Sequence, residues 1–357
     1  MESEFANVNS YGVEAHSYIY RIARTKLNWD YPADKFKDEA FRFLDAAKNI
    51  DVISESYPKL ITDCFPPETL VRLGALKRTW LTSGLKDRLN DFIWFIITSI
   101  LRSTSPVGTA QWQYIQPNKT KSKVLDPFVA FEKKVNEIYQ DMLYLQSLNK
   151  PTCKGTILNE DARNIVNVPN SWGDLVITSP PYANNYDYAD ATRLEMMFWG
   201  DITGWSDLQG VVRSNLVRAC TQHVSKLGSE IDEIISEPKL SAIKDELVEV
   251  YNRLKEERLN HGGKKNYHLM IAAYFSDLAE VFLSLRRVTK EGVLMCFVIG
   301  DSAPYGIYVP VDRWLGELAI SAGFKSYTFE KLRDRNTKWK NRKHTVPLHE
   351  GRLWIKG

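Results

Sequence analysis

The stretch Leu175-Val176-Ile177-Thr178-Ser179-Pro180-Pro181-Tyr182 sets an apolar run directly against two prolines and a tyrosine. A short apolar run stopped by prolines reads as a buried strand breaking into a rigid loop at its carboxyl end, where open α/β sheets bind their ligands. Proline fixes φ and carries no amide hydrogen, which leaves the Ser179 and Pro180 carbonyls to accept hydrogen bonds from a ligand. Tyr182 adds a flat face beside them. Acceptors next to an aromatic platform suit a planar base whose exocyclic amino group donates while its ring stacks. A PPY sequence also occurs in partner-binding tails taken up in extended form. Such tails lie in proline-rich sequence, whereas this one follows a strand and precedes the aromatic stretch Tyr186, Tyr188, Phe198, Trp199.

Outward from this loop, strands and helices alternate. Upstream, Val8 to Val13 reads as a strand ending at Glu14, followed by a helix through Leu27. Strand, acidic residue, helix is the pattern in which a carboxylate takes the ribose hydroxyls of a nucleoside cofactor. Residues 34–103 read as helical, with segments at Lys35 to Lys48, Pro67 to Trp80 and Leu85 to Arg102. A second strand at Thr156 to Leu158 leads to Asp161. Downstream, residues 200–265 are polar and highly charged, with one helix near Leu240 to Leu259. Apolar positions then recur at helical spacing from Tyr267 to Arg287. Val288 to Gly292 reads as a turn into a continuous apolar strand, Val293 to Ile299, of the kind buried on both faces of a parallel sheet. A helix at Val311 to Ala322 and strands at Phe324 to Phe329 and Arg352 to Ile355 complete the chain. The alternation indicates an α/β fold, a doubly wound and mostly parallel sheet with helical insertions.

Composition sets the class. The chain has 357 residues, 44% hydrophobic and 25% charged, with a formal net charge of +3, so charge alone does not advertise a nucleic-acid partner. Seven basic residues between Lys331 and Lys343, interleaved with Trp339, form either a solvated loop or a track for a phosphate backbone. No apolar run reads as membrane-spanning, and the amino terminus lacks the features of a signal peptide, so a cytoplasmic protein without a membrane partner is expected. Cys64, Cys153, Cys220 and Cys296 are far apart without a CxxC spacing; free thiols and no metal are expected.

The TSPPY loop resembles the signature of the amino-group DNA methyltransferases, which methylate cytosine N4 or adenine N6 from S-adenosylmethionine. The similarity extends to Asp161-Ala162-Arg163, to the helix, RRVTKEG and apolar strand ending in Gly300-Asp301-Ser302, and to the closing strand after Leu348-His349-Glu350. The resemblance implies a Rossmann-like methyltransferase core. In it Ser179, Pro180, Pro181 and Tyr182 are the catalytic, base-binding residues, and Glu14, Asp161 and Thr178 serve S-adenosylmethionine. Residues 1–30 are then a strand and helix of the core, 31–150 a helical insertion, and 151–200 the core with the catalytic loop. Residues 201–265 are a charged helical insertion and possible DNA-contact region, and 266–357 the carboxyl-terminal half of the core.

Such enzymes also carry a DPFxGxG loop ahead of the ribose-binding acid, where glycines let the backbone approach the cofactor. Here the only DPF is Asp126-Pro127-Phe128, followed by no glycine and by a long helical pattern, and it reads as unrelated to the cofactor. The expectation is therefore a site-specific DNA methyltransferase, or one subunit of a split enzyme whose glycine loop lies on a second polypeptide. A catalytically deficient DNA-binding partner and an RNA or protein amide methyltransferase are the alternatives. Serine before PPY tilts the resemblance toward cytosine N4. The lack of a cysteine beside the prolines argues against a covalent route to cytosine C5.

Overall fold

The computed structural model describes residues 1–50, 56–109, 115–148, 151–225, 227–335 and 346–357. They form two compact units: Met1–Asn159 with Tyr188–Val211, and Glu160–Asp187 with Val212–Gly357.

In the first unit, strand β1 (Ser10–Val13) runs into helix α1 (Ser17–Lys26), and helices α2 (Ala33–Lys48), α3 (Pro67–Thr82) and α4 (Asp87–Thr104) follow. Proline at the first position of α3 costs no hydrogen bond, since that amide has no intrahelical partner. A short antiparallel pair, β2 (Val107–Thr109) and β3 (Ile115–Thr120), follows, past the stretch 34–103 whose sequence reads as helical. Helix α5 (Pro127–Ser147) starts at the lone DPF, and its Asp126 side chain accepts from the amides of Phe128 and Val129. This aspartate is a helix cap, which explains the motif without a cofactor. Strand β4 (Gly155–Leu158) returns parallel to β1, with Tyr11 opposite Thr156. Helix α6 (Arg193–Trp199) belongs to the same unit. The helices pack through aromatic pairs such as Phe36 and Phe92, 5.0 Å apart, and Phe43 stacked on Phe131. Asp91, buried on α4, is held by Arg24 at 2.8 and 3.0 Å, while the Arg21 guanidinium lies 4.1 Å from the Trp94 ring.

The second unit carries a four-stranded sheet in the order β5-β6-β8-β7, formed by β5 (Gly173–Thr178), β6 (Thr289–Gly300), β7 (Ser326–Arg335) and β8 (Leu348–Lys356). Strands β5 and β6 are parallel, with Thr178 opposite Phe297, and the other two pairings are antiparallel. Helices α7 (Lys244–Glu257), α8 (Tyr267–Val288) and α9 (Val311–Ser321) complete it. Helix α8 is long and apolar enough by composition to cross a membrane, contrary to the sequence reading, but 83% of its most apolar stretch is buried. Phe275 meets Trp314 edge-on at 4.9 Å, and Phe282 lies 5.2 Å from Phe297 of β6. These contacts are those of a core helix.

The fold is thus α/β with two parallel pairs, and the described strands sort into three sheets rather than one. Two element readings change. Of residues 288–292, expected as a turn, Val288 ends α8 and 289–292 enter β6, because Thr289 pairs with Gly173 and the Gly292 amide donates to the Gly357 carbonyl. Gly292, at φ 80°, supplies the left-handed backbone that the sequence pattern suggested as a turn. The first part of the basic run, Lys331 to Arg335, is the end of β7 rather than a loop; Asn336 to Lys343 lie outside the described residues.

Candidate functional site

Strand β5 ends at Thr178, and Ser179 to Tyr182 leave it as an irregular segment, as two successive prolines require. The Ser179 hydroxyl donates to the Val298 carbonyl at 3.3 Å. With its hydrogen turned toward the sheet, the oxygen keeps its lone pairs for an incoming donor. Among the described residues the Ser179 and Pro180 carbonyls accept no hydrogen bond. Three acceptors therefore stand together at the strand end. Tyr182 is half-buried beside them, its phenol pushed up by burial and by the Glu350 carboxylate, an effect partly offset by Ser179, Arg335 and Arg333. It remains a neutral phenol at physiological pH.

A residue that the sequence reading did not single out completes this corner. Arg335, at the end of β7, lies with its guanidinium carbon 5.3 Å from the Tyr182 ring centroid and donates to the Asp301 carbonyl at 2.7 Å. It passes over Gly300, where a Cβ would come within 2.6 Å of the guanidinium. Glycine at the end of β6 is therefore what lets the arginine reach the loop. The available signal was the basic run itself, in which no single arginine stood out.

The loop is anchored further along. The Ser302 hydroxyl donates to the Ala183 carbonyl. Asn185, at φ 67°, takes the left-handed conformation that asparagine tolerates, and its amide donates to the Ala219 carbonyl while its side chain accepts from the Thr221 amide at 2.8 Å. Asp187 is buried and accepts from Arg213 at 2.6 and 3.1 Å. Burial pushes this carboxyl up, but His223 and Arg213 outweigh it and hold the pKa below the usual aspartate value. A rigid loop exit thus fixes where the prolines and Tyr182 point.

The residues assigned to the cofactor are spread over both units. Glu14 closes β1 in the first unit, where its amide donates to the Leu158 carbonyl and one carboxylate oxygen accepts from the His16 amide at 2.8 Å. Burial raises its pKa, and the His16 hydrogen bond partly offsets this. His16 behind it is buried, its Nε2 2.9 Å from Thr192 Oγ1, and burial lowers its pKa to about 4. Thr178 and Asp161 lie in the second unit. Asp161 caps a turn of 3-10 helix at Ala162–Asn164 and pairs with Arg163, which also reaches the fully buried Asp277 at 3.2 Å. Arg218 also pairs with Asp277, its guanidinium 2.5 Å from the same oxygen. The Asp161 carboxylate is therefore already engaged by an arginine.

Curated proteins resembling the chain carry a shared name. It is 26% identical over 227 residues to the type II methyltransferase M.BsoBI of Geobacillus stearothermophilus, covering 60% of this chain and 43% of that protein. It is 28% identical over 290 residues to the type II methyltransferase M.AvaI of Nostoc sp. strain PCC 7120, covering 74% of this chain and 57% of that protein. The chain is similar to type II methyltransferases. It spans about half the length of these methyltransferase relatives. No family model matches, and no solved structure matches.

Proposed function

We propose that the chain carries the base-binding part of a site-specific DNA methyltransferase acting on an exocyclic base amine, with cytosine N4 favoured over adenine N6. The observation that carries this reading is the acceptor cluster of Ser179 Oγ and the Ser179 and Pro180 carbonyls beside the Tyr182 ring. An exocyclic amine is a poor nucleophile because its lone pair is delocalised into the ring. Acceptors that hold both amine hydrogens turn the nitrogen toward tetrahedral geometry and aim the lone pair, so positioning does most of the work. Tyr182 stacks on the base after it leaves the duplex, a step that costs a few kcal/mol. The Arg335 guanidinium carbon lies over this ring, 5.3 Å from its centroid. Serine in front of the prolines supports the cytosine preference, through the family resemblance.

S-adenosylmethionine supplies the electrophilic methyl group when bound. Glu14 fits its ribose, being a strand-end carboxylate with one oxygen on the His16 amide and the other available to hydroxyls. The doubly wound core belongs to this reading. So does a second polypeptide segment bringing a glycine loop. Strand β5 pairs on one side only among the described residues, with Leu175 55% and Ile177 72% exposed. Parallel strands are normally covered on both faces, and an open apolar edge is a template for another strand.

The test is transfer of labelled methyl from S-adenosylmethionine, with separate DNA, RNA and protein pools, followed by nucleoside analysis. N4-methylcytosine in DNA, lost in Ser179→Ala, is expected. Label confined to RNA or protein overturns the DNA assignment, and N6-methyladenine overturns the cytosine preference.

A further inference from the structure

Behind the exit of the TSPPY loop lies a second cluster that methyl transfer does not use. Asp187, Cys220 and His223 are all buried, and one ligand atom from each lies within 4.8 Å of the others. Cys220 and His223 stand in a C-x-x-H spacing on one tight turn, closed by the His223 amide donating to the Cys220 carbonyl at 3.0 Å. His223 has a side chain 1% exposed, and neither ring nitrogen has a hydrogen-bond partner. Its Nε2 faces Asp187 Oδ1 at 3.6 Å, too long for a hydrogen bond. A buried imidazole with two unsatisfied nitrogens is destabilising unless something outside the protein chain satisfies it.

We propose that Asp187, Cys220 and His223 bind a structural zinc ion that locks the end of the TSPPY loop to the 219–223 turn. Sulfur, imidazole and carboxylate are a zinc donor set, and tetrahedral binding draws such atoms to about 3.5 Å from one another, a contraction of roughly 1 Å here. Asp187 Oδ2 accepts from Arg213, while Oδ1 faces His223. A carboxylate bound to a metal through one oxygen and oriented by a hydrogen bond through the other is the usual outer-shell arrangement. The Arg213 charge is balanced by Asp187, and a Cys220 thiolate, formed as its proton is released to solvent, offsets one of the two charges of the metal. The fourth position goes to water or to Gln222 Oε1, which accepts from the Cys220 thiol. The C-x-x-C rule missed this site because one turn supplies a cysteine and a histidine and the third ligand comes from the loop.

The experiment uses the full chain purified without chelator, its metal measured by mass spectrometry, then exchanged into cobalt. About one equivalent of zinc is expected, and the cobalt form should show a thiolate-to-metal charge-transfer band. Cys220→Ser and His223→Ala should each lower zinc content at least fivefold, and Cys220→Ser should abolish the band. Circular dichroism reports folding, and Cys153→Ser is the control that should change neither. A folded wild-type chain with under a tenth of an equivalent of zinc and no cobalt band overturns the site. Zinc retained at full stoichiometry in folded Cys220→Ser and His223→Ala does so equally. Neither readout depends on methyl transfer, so the metal site can fail while the methyltransferase reading stands, and the reverse.

Discussion

At the residue scale the decisive feature is an oxygen with its proton already committed. The Ser179 hydroxyl donates to Val298, so it meets a ligand as an acceptor. Ser179→Ala removes that acceptor without touching the core. Turnover should fall roughly tenfold to a hundredfold, corresponding to about 1.4 to 2.7 kcal/mol of lost transition-state positioning. Unfolding midpoints should match the parent, and unchanged turnover would remove the serine from the site. Arg335 gives a second, separable expectation. Its contact with the Tyr182 ring is worth about 0.5–1 kcal/mol if exposed to solvent, and lysine lacks the planar group that stacks. Arg335→Ala should weaken engagement of an extruded base about two- to fivefold, read from the fluorescence of 2-aminopurine at the target position. Equal fluorescence titrations for parent and variant would leave the arginine as a surface cation.

At the element scale, α8 and the turn before it are held by charge as well as by apolar packing. Asp277 is fully buried between Arg163 and Arg218. Asp277→Ala strands two guanidinium groups near the core, and breaking a buried pair in this way costs about 3–5 kcal/mol. Urea denaturation should show that loss in the second unit, and a change under 1 kcal/mol would mean the arginines find other partners.

Much of this scale was legible. Apolar periodicity marked α8, the proline at position 67 marked the start of α3, and Leu175 to Ile177 marked β5 as a strand, although Leu175 and Ile177 are exposed where a buried strand was expected. Other features were not, because they depend on partners remote in sequence. Gly292 looks like a turn residue until the carboxyl terminus pairs beside it, while β2 has only three residues and β3, IQPNKT, is polar and contains a proline, so neither leaves an apolar period. The TSPPY loop was read from its own residues, whereas Arg335, Arg213 and the 219–223 turn reach it only through the fold. The open edge of β5 has its own test. Ile177→Lys places a charge on the exposed apolar face, and a glycine-loop segment added in trans should then no longer raise S-adenosylmethionine affinity by calorimetry. Undiminished stimulation would place that segment elsewhere.

At the scale of the whole molecule, each unit contains a buried histidine that folding keeps neutral. His16 in the first unit and His268 in the second are both buried, and burial lowers each pKa to about 4, with Arg258 and Lys255 adding to the effect at His268. Above the ordinary histidine pKa near 6.5 the folded and unfolded forms are both neutral, and these groups cost nothing. As pH falls toward 4 the unfolded chain takes up protons that the folded chain refuses, so stability declines through that window and levels off below it. The loss reaches up to about 3 kcal/mol for each histidine, since one pKa unit corresponds to about 1.36 kcal/mol. Hydrogen exchange followed by mass spectrometry resolves the two units in one experiment. Between about pH 7.5 and 5, a window chosen to straddle the ordinary histidine pKa, protection corrected for intrinsic exchange should fall in α1 and α4 of the first unit and in α8 of the second. His268→Gln, which carries no titratable ring, should flatten the dependence in α8 while leaving that of α1 intact, and His16→Gln should do the reverse. Equal slopes in parent and variants would show that other groups, carboxylates foremost, set the acid limit of this fold.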